Sequence, residues 1–199
     1  MVVIRAFIAI SLSPEIRSSL EEVSDKLKER LPGVPIRWVP AENVHLTIKF
    51  LGDVSVSNLE ILQKILQTEA CQHSPFEFSV GNLGAYPSIS RPRVIWVGVQ
   101  APDELHALQR GIEAETGRLG YAREKRSYSP HLTLGRVSRN ADASDTRRIR
   151  KVLKSCTIGF LGATRVHQVH LYRSELQSGG AVYSKILSAP FTDSYENLT

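Results

Sequence analysis

Two short stretches of the chain carry the same chemistry-bearing letters. HLTIKFLG begins at His45 and HLTLGRV at His131, each setting an imidazole and a hydroxyl two residues apart among apolar neighbours. The copies lie 86 positions apart. Side chains alternate across a β-strand, so His45 and Thr47 are expected on one face with Leu46, Ile48 and Phe50 on the other. The same alternation sets His131 and Thr133 against Leu132 and Leu134. A two-fold relation between the strands would line one cleft with both pairs, and the two histidines are expected to face each other across it.

Two imidazoles and two hydroxyls suit hydrolysis of a phosphodiester. An imidazole titrates near about 6.5, so at neutral pH one histidine can accept a proton while the other donates one. The reaction needs a base to take a proton from attacking water and an acid to protonate the leaving oxygen, each worth about 10²–10⁴-fold. The threonine hydroxyls, with backbone N–H groups or an arginine, can hold the non-bridging oxygens as charge builds on them. No cofactor or metal is required by this scheme. The sequence also lacks H-E-x-x-H, any His/Cys cluster and carboxylates within the two motifs. A lone H-x-T on a strand is an ordinary polar pair, whereas two copies in matching apolar settings are not expected by chance.

The elements that must position these residues are legible around them. The opening VIRAFIAI reads as a buried strand. After it Ser13 is an N-cap, Pro14 suits the first helical turn, Ile16, Leu20, Val23, Leu27 and Leu31 recur at helical spacing, and Gly33 stops the helix. The first H-x-T strand, a second amphipathic helix over SVSNLEILQKILQTEA and a strand FEFSVGNLGAY follow. The order then repeats. PRVIWVGV is a strand, DELHALQRGIEAETG a helix with Leu105, Leu108, Ile112 and Thr116 on one face, and the second H-x-T strand comes next. A loop and helix over SRNADASDTRRIRKVLKSC and strands through TIGFLGATRVHQVHLYRS and AVYSKILSA complete the chain. Sliding the second half back by 88 positions superposes Arg93 on Arg5, Pro102 on Pro14 and Leu108 on Leu20. The reading is an α+β fold of two pseudo-symmetric lobes from an internal duplication, with antiparallel sheets lining a central cleft and helices outside. Residues 1–199 are expected to form this single bilobal domain, with the polar end TDSYENLT fraying.

Composition sets outer limits. With 199 residues, 42% of them hydrophobic, the chain can bury a sizeable core. No apolar run approaches the roughly 20 residues that span a bilayer, and VVIRAFIAI is interrupted by Arg5. A cytoplasmic monomer is expected, with Cys71 and Cys156 as plain reduced residues. The net charge of +5 is compatible with a phosphate-bearing partner.

The two motifs, with RAFIAI, WVPAENVHLTIKFLG, GAYPSISRPRVIWVGV and VHLYRSELQSGGAVYSKIL, resemble the 2H phosphoesterases, and within them the LigT-like RNA 2′,3′-cyclic phosphodiesterases. The resemblance covers nearly the whole chain. It implies that a terminal 2′,3′-cyclic phosphate on RNA is opened to a 2′-phosphomonoester, with His45 as proton donor to the 3′-oxygen and His131 as the acceptor that activates water. Thr47, Thr133 and Arg136 would bind the phosphate. The spacing is symmetric between the histidines, so their separate roles rest on the resemblance. Relatives that run the reaction in reverse as 2′–5′ RNA ligases leave the physiological direction open. A small cyclic nucleotide as substrate, or a non-catalytic module that binds RNA ends, are the other readings.

Arg136 should point away from His131 under strict alternation, unless a twist or bulge after Gly135 redirects it. Lys49 alternates onto the face of His45 and Thr47. Lys49, Trp38, Arg126 and Tyr128 are candidate RNA contacts, the two aromatics as stacking surfaces for a terminal base and the cations as backbone contacts. His73, His106, His167 and His170 are read as ordinary residues. The spacing of the last two puts them on opposite faces of a strand.

Overall fold

The first helix starts where a cap is written into the chain: the Ser13 hydroxyl accepts from the Ile16 N–H, and Pro14 follows at the first helical position. The computed structural model describes residues 2–177 and 180–192. In order these form β1 (Val3–Ile10), α1 (Pro14–Arg30), β2 (Ile36–Trp38), β3 (Leu46–Ser55), α2 (Leu59–Ala70), β4 (Phe76–Ser88), β5 (Arg91–Gln100), α3 (Asp103–Arg118), β6 (His131–Val137), α4 (Ala143–Ser155), β7 (Phe160–Val166), β8 (Gln168–Gln177) and β9 (Gly180–Pro190). Short 3₁₀ turns precede β3 and α2. The tail 193–199, expected to fray, lies outside the described residues. No described helix is long and apolar enough to cross a membrane.

The strands form one antiparallel sheet in the order β7-β4-β5-β6-β3-β1-β8-β9, with β2 added beside β6. This order is a palindrome of equivalent strands about the β6–β3 junction, where β6 answers β3, β5 answers β1, β4 answers β8 and β7 answers β9. The two lobes are therefore not the two halves of the sequence. One lobe joins β1 and β3 from the first half to β8 and β9 from the second, while β4 to β7 build the other. The helices are exchanged too: α1 packs on β7 and α4 on β5, whereas α2 covers β8 and β9 and α3 covers β3. Such interleaving makes each lobe depend on both halves of the chain.

The core lies between the helices and one face of the sheet. Ile8, Ile10, Leu46, Ile48, Ile95, Val97, Leu132 and Leu134 are all buried there, facing the apolar stripes of the helices. Strict alternation fails just after the threonine in each H-x-T strand, and in β3 again at Leu51, between the Phe50–Phe7 and Gly52–Ala6 pairs. Opposite β1, Thr47 pairs with Ala9 and Lys49 with Ile8, so Ile48 is an extra residue. Opposite β5, Thr133 pairs with Trp96 and Gly135 with Ile95, so Leu134 is extra. Each insertion is a β-bulge that puts two successive side chains on the core side and reverses the alternation beyond it.

This corrects two expectations for β3. Lys49 is not on the face of His45 but is only 4% exposed on the core side. There its Nζ donates to Glu113 Oε1 at 2.6 Å and to the Ala122 carbonyl at 2.5 Å. It ties α3 and the following connection to β3 and is not an RNA contact. Phe50, expected in the core, is 66% exposed on the face of His45. At the position equivalent to Lys49 stands Gly135, where a Cβ would lie 2.9 Å from Ile36 Cγ2 and 3.0 Å from Trp38 Cε3. The space that α3 leaves for a lysine stem in one lobe is filled by β2 in the other.

Removing one partner of a buried ion pair leaves the other charge uncompensated. Glu113→Ala should lower the unfolding free energy by about 3–5 kcal/mol in denaturant titrations. Lys49→Met should cost less, because it keeps the apolar stem and the carboxylate it leaves unpaired is the more exposed partner, 17% against 3% for the lysine.

Candidate active site

The two H-x-T strands touch at a single residue pair, Leu46 opposite Leu132, both fully buried. Continuing that antiparallel register by one residue in each direction sets His45 across from Thr133 and Thr47 across from His131. All four side chains are partly exposed on the face opposite the core. The strands then diverge.

Each imidazole is held through the same atom. His45 Nδ1 donates to the Asn43 carbonyl at 2.8 Å, and His131 Nδ1 donates to the Ser129 carbonyl at 2.7 Å. A carbonyl can only accept, so the proton of each neutral ring sits on Nδ1 and Nε2 is left with its lone pair. Both rings lie against aromatic walls. His45 stacks on Phe7 at 4.7 Å between ring centres and meets Tyr183 edge-on at 5.2 Å. His131 meets Tyr86 edge-on at 4.9 Å and lies 6.3 Å from Trp96. Tyr172 and Tyr86, from the equivalent strands β8 and β4, are anchored alike through hydroxyl contacts to Ser11 at 2.7 Å and Ser129 at 2.6 Å.

These walls set the basicity of the rings. Burial disfavours the imidazolium and is the largest influence on each, lowering both His45 and His131 below the usual histidine value. The carbonyl bonds favour the protonated form and oppose the shift, while the Arg136 guanidinium adds to it at both rings. One arginine is therefore close enough to act on both histidines. The bulge at Leu134, one residue before the position anticipated from the sequence, turns Arg136 onto the cleft face with Thr133. In the equivalent place of β3 the same device presents Phe50, 6.3 Å from Phe7. The cleft is consequently symmetric in its histidines and threonines and asymmetric at its flanks, cationic on one side and aromatic on the other.

The remaining anticipated contacts fall elsewhere. Trp38 packs with Ile36 over Gly135, on the core side of β6, because the alternation of β2 sends Arg37 to the cleft face instead. Tyr128 is no free stacking surface: its hydroxyl donates to the Thr47 carbonyl at 3.0 Å, and burial raises its pKa well above the usual range. It pins the connection before β6 to the first motif strand. Arg126 is exposed on that connection, where its backbone N–H donates to Glu124. His170 is buried in the lobe with its Nδ1 2.9 Å from Ser188 Oγ, and burial, with help from Lys185, pushes its pKa down to about 4. Among the described residues no three His, Cys, Asp or Glu side chains are grouped to hold a metal ion. Beside His45 lies a recess of roughly 270 Å³ bordered by Ser11, Arg17, Asn43, Tyr172, Tyr183 and Lys185.

The aromatic walls and Arg37 were not anticipated from the sequence. A signal for the walls was present, since Tyr86 and Tyr172 are separated by the same 86 positions as the motif histidines. Nothing comparable marked Arg37.

The family model described as LigT like Phosphoesterase matches the chain twice, over residues 10–96 and 97–183. An RNA 2′,3′-cyclic phosphodiesterase of Methanothermobacter thermautotrophicus is 33% identical over 183 residues, 91% of this chain and 95% of its own. One of the same name from Archaeoglobus fulgidus is 33% identical over 92% of this chain and 97% of its own. The crystal structure of E. coli LigT complexed with 3′-AMP superposes with a TM-score of 0.74 at 27% identity, covering 96% of this chain and all of that one. A Thermus thermophilus protein gives a TM-score of 0.80 over 96% of this chain and all of its own at 24% identity, a likeness of fold.

Titration followed by NMR checks the electrostatics. Both His45 and His131 should lose their proton below about 6.5 in the free protein. Arg136 repels the imidazolium form, so Arg136→Gln should move both transitions to higher pH. Movement of only one would place the arginine away from a shared site.

Proposed function

The chain belongs to the LigT-like phosphoesterase family, and from that premise we propose that it hydrolyses the 2′,3′-cyclic phosphate at RNA ends to a 2′-phosphomonoester by acid/base catalysis between His45 and His131. The observation that carries the reading is the pair of imidazoles, each locked through Nδ1 to a backbone carbonyl and both within the field of Arg136. The names of the relatives supply the substrate.

In this reading Nε2 of His131, the less enclosed ring, takes a proton from water as the water oxygen bonds to phosphorus. The bond from phosphorus to the 3′-oxygen breaks, and that oxygen takes the proton of His45 Nε2–H. The histidines finish with exchanged protonation states and are reset through solvent. Thr47 and Thr133 donate to the non-bridging oxygens, and the Arg136 guanidinium neutralises the charge that builds there. A low pKa in the free protein suits the base directly. The acid must hold its proton, and the bound phosphate supplies the negative charge that raises its pKa again. Phe50 offers an exposed ring at the aromatic flank where the terminal base can stack. No step is assigned to a metal ion.

A defined oligonucleotide with a 2′,3′-cyclic phosphate end tests the proposal. Turnover should give a 2′-phosphate, persist in EDTA, and fall about 10²–10⁴-fold in His45→Ala and in His131→Ala. The double variant should lose far less than the product of the two single losses, because the pair acts as a unit. A 3′-phosphate product would reassign the leaving group, and absence of turnover would sink the reading.

A further inference from the structure

The cleft face carries one feature that hydrolysis of a single phosphodiester does not require. β2 runs antiparallel to the end of β6 with Arg37 directly opposite Arg136. Opposed residues of an antiparallel pair share a face with Cβ atoms about 4.5–5.5 Å apart, so two exposed arginines leave the ladder from neighbouring positions on the cleft face. Like charges so placed destabilise the pairing, and neither arginine can shed its proton. The ladder nevertheless holds them together.

Some basic side chains find acceptors, as Lys49 does in Glu113 and Arg148 in the Pro32 carbonyl, and many exposed ones among the described residues do not. What sets Arg37 and Arg136 apart is that they stand opposite each other on one ladder beside the catalytic pair. Among the described residues neither the Arg37 nor the Arg136 side chain has a hydrogen-bond or ion-pair partner. Two unneutralised guanidinium groups on a rigid ladder make a site for phosphate oxygens, which arginine binds bidentately.

The two arginines are not equivalent. Arg136 acts on both catalytic imidazoles, whereas Arg37 acts on neither. Arg37 also stands a strand beyond β6, in the gap that opens where β3 and β6 diverge after their single contact. A phosphate held between the histidines would meet Arg136, which acts on both rings, and Arg37, a strand further out, would be available to a second one. An RNA chain brings a second phosphate, attached through the 5′-oxygen of the same terminal nucleotide. We infer that Arg37 binds this second phosphate and makes the enzyme favour RNA chains over nucleoside 2′,3′-cyclic phosphates. The inference rests on the cyclic-phosphate reading of the site.

The test compares a dinucleotide ending in a 2′,3′-cyclic phosphate with a nucleoside 2′,3′-cyclic phosphate whose 5′-hydroxyl is free. The wild-type protein should show the higher kcat/KM on the dinucleotide, and Arg37→Gln should shrink that ratio about tenfold. Arg37→Lys, which keeps the charge and loses the fork, should retain part of it. The salt dependence of dinucleotide turnover should weaken by about one phosphate contact in Arg37→Gln. A ratio unchanged within twofold would overturn the inference, whether both substrates suffer equally or neither does. Dissociation constants for the matching products, a dinucleotide with a 2′-phosphate end and a nucleoside 2′-phosphate, provide a separate arm. Were the protein to turn over neither substrate, the proposed activity would fail, while a tenfold fall in this binding ratio would still support the Arg37 assignment and an unchanged one would still overturn it.

Discussion

Everything at the site depends on how little the two motif strands touch. Leu46 and Leu132 meet at the pseudo-two-fold axis as one backbone-paired contact, and both side chains are sealed into the core behind it. One pair is enough to fix register, because a slip by a single residue would turn His45, Thr47 and their counterparts into the core and expose the leucines. A longer ladder would hold the strands parallel in plane and close the groove between them. Brief contact followed by divergence leaves a cleft floored by polar side chains.

The bulges that follow are the second device. In each strand the extra residue just after the threonine hands the next outward position to a different side chain, and the duplicated halves have used that position differently. Arg136 occupies it on one side and Phe50 on the other. The positions just before them diverge as well. Lys49 threads beneath α3 to Glu113, whereas Gly135 clears a path for Ile36 and Trp38 of β2. The addition of β2 to β6 then carries Arg37 to the cleft. A symmetric catalytic pair thus sits in an asymmetric groove, as a chemically directional substrate requires.

Much of this could be read from the sequence. The duplication, the α+β class, the helices with the Ser13 cap of the first, and the outward placement of both H-x-T pairs followed from periodicity and repeat spacing. The misreadings within the motif strands share one cause. Lys49 and Phe50 were assigned to the wrong faces because a bulge leaves no mark in a run of apolar letters, and Arg136 reached the cleft through a bulge one residue earlier than foreseen. Trp38 and Tyr128 have the composition of stacking residues, but their roles are decided by what packs on them: the floor of β2 for one, the Thr47 carbonyl for the other.

The sequence by itself determined which side chains are available, their doubled spacing and the apolar pattern that turns the same letters outward in both copies, because these follow from local alternation and burial. Tertiary structure alone decided that the lobes exchange strands, that Nδ1 of each histidine is held by a carbonyl two residues before it, and that Arg136 and Arg37 share the cleft. Those outcomes depend on pairing between segments far apart in the chain, where register is set by the fit of whole surfaces and not by any residue's own preference.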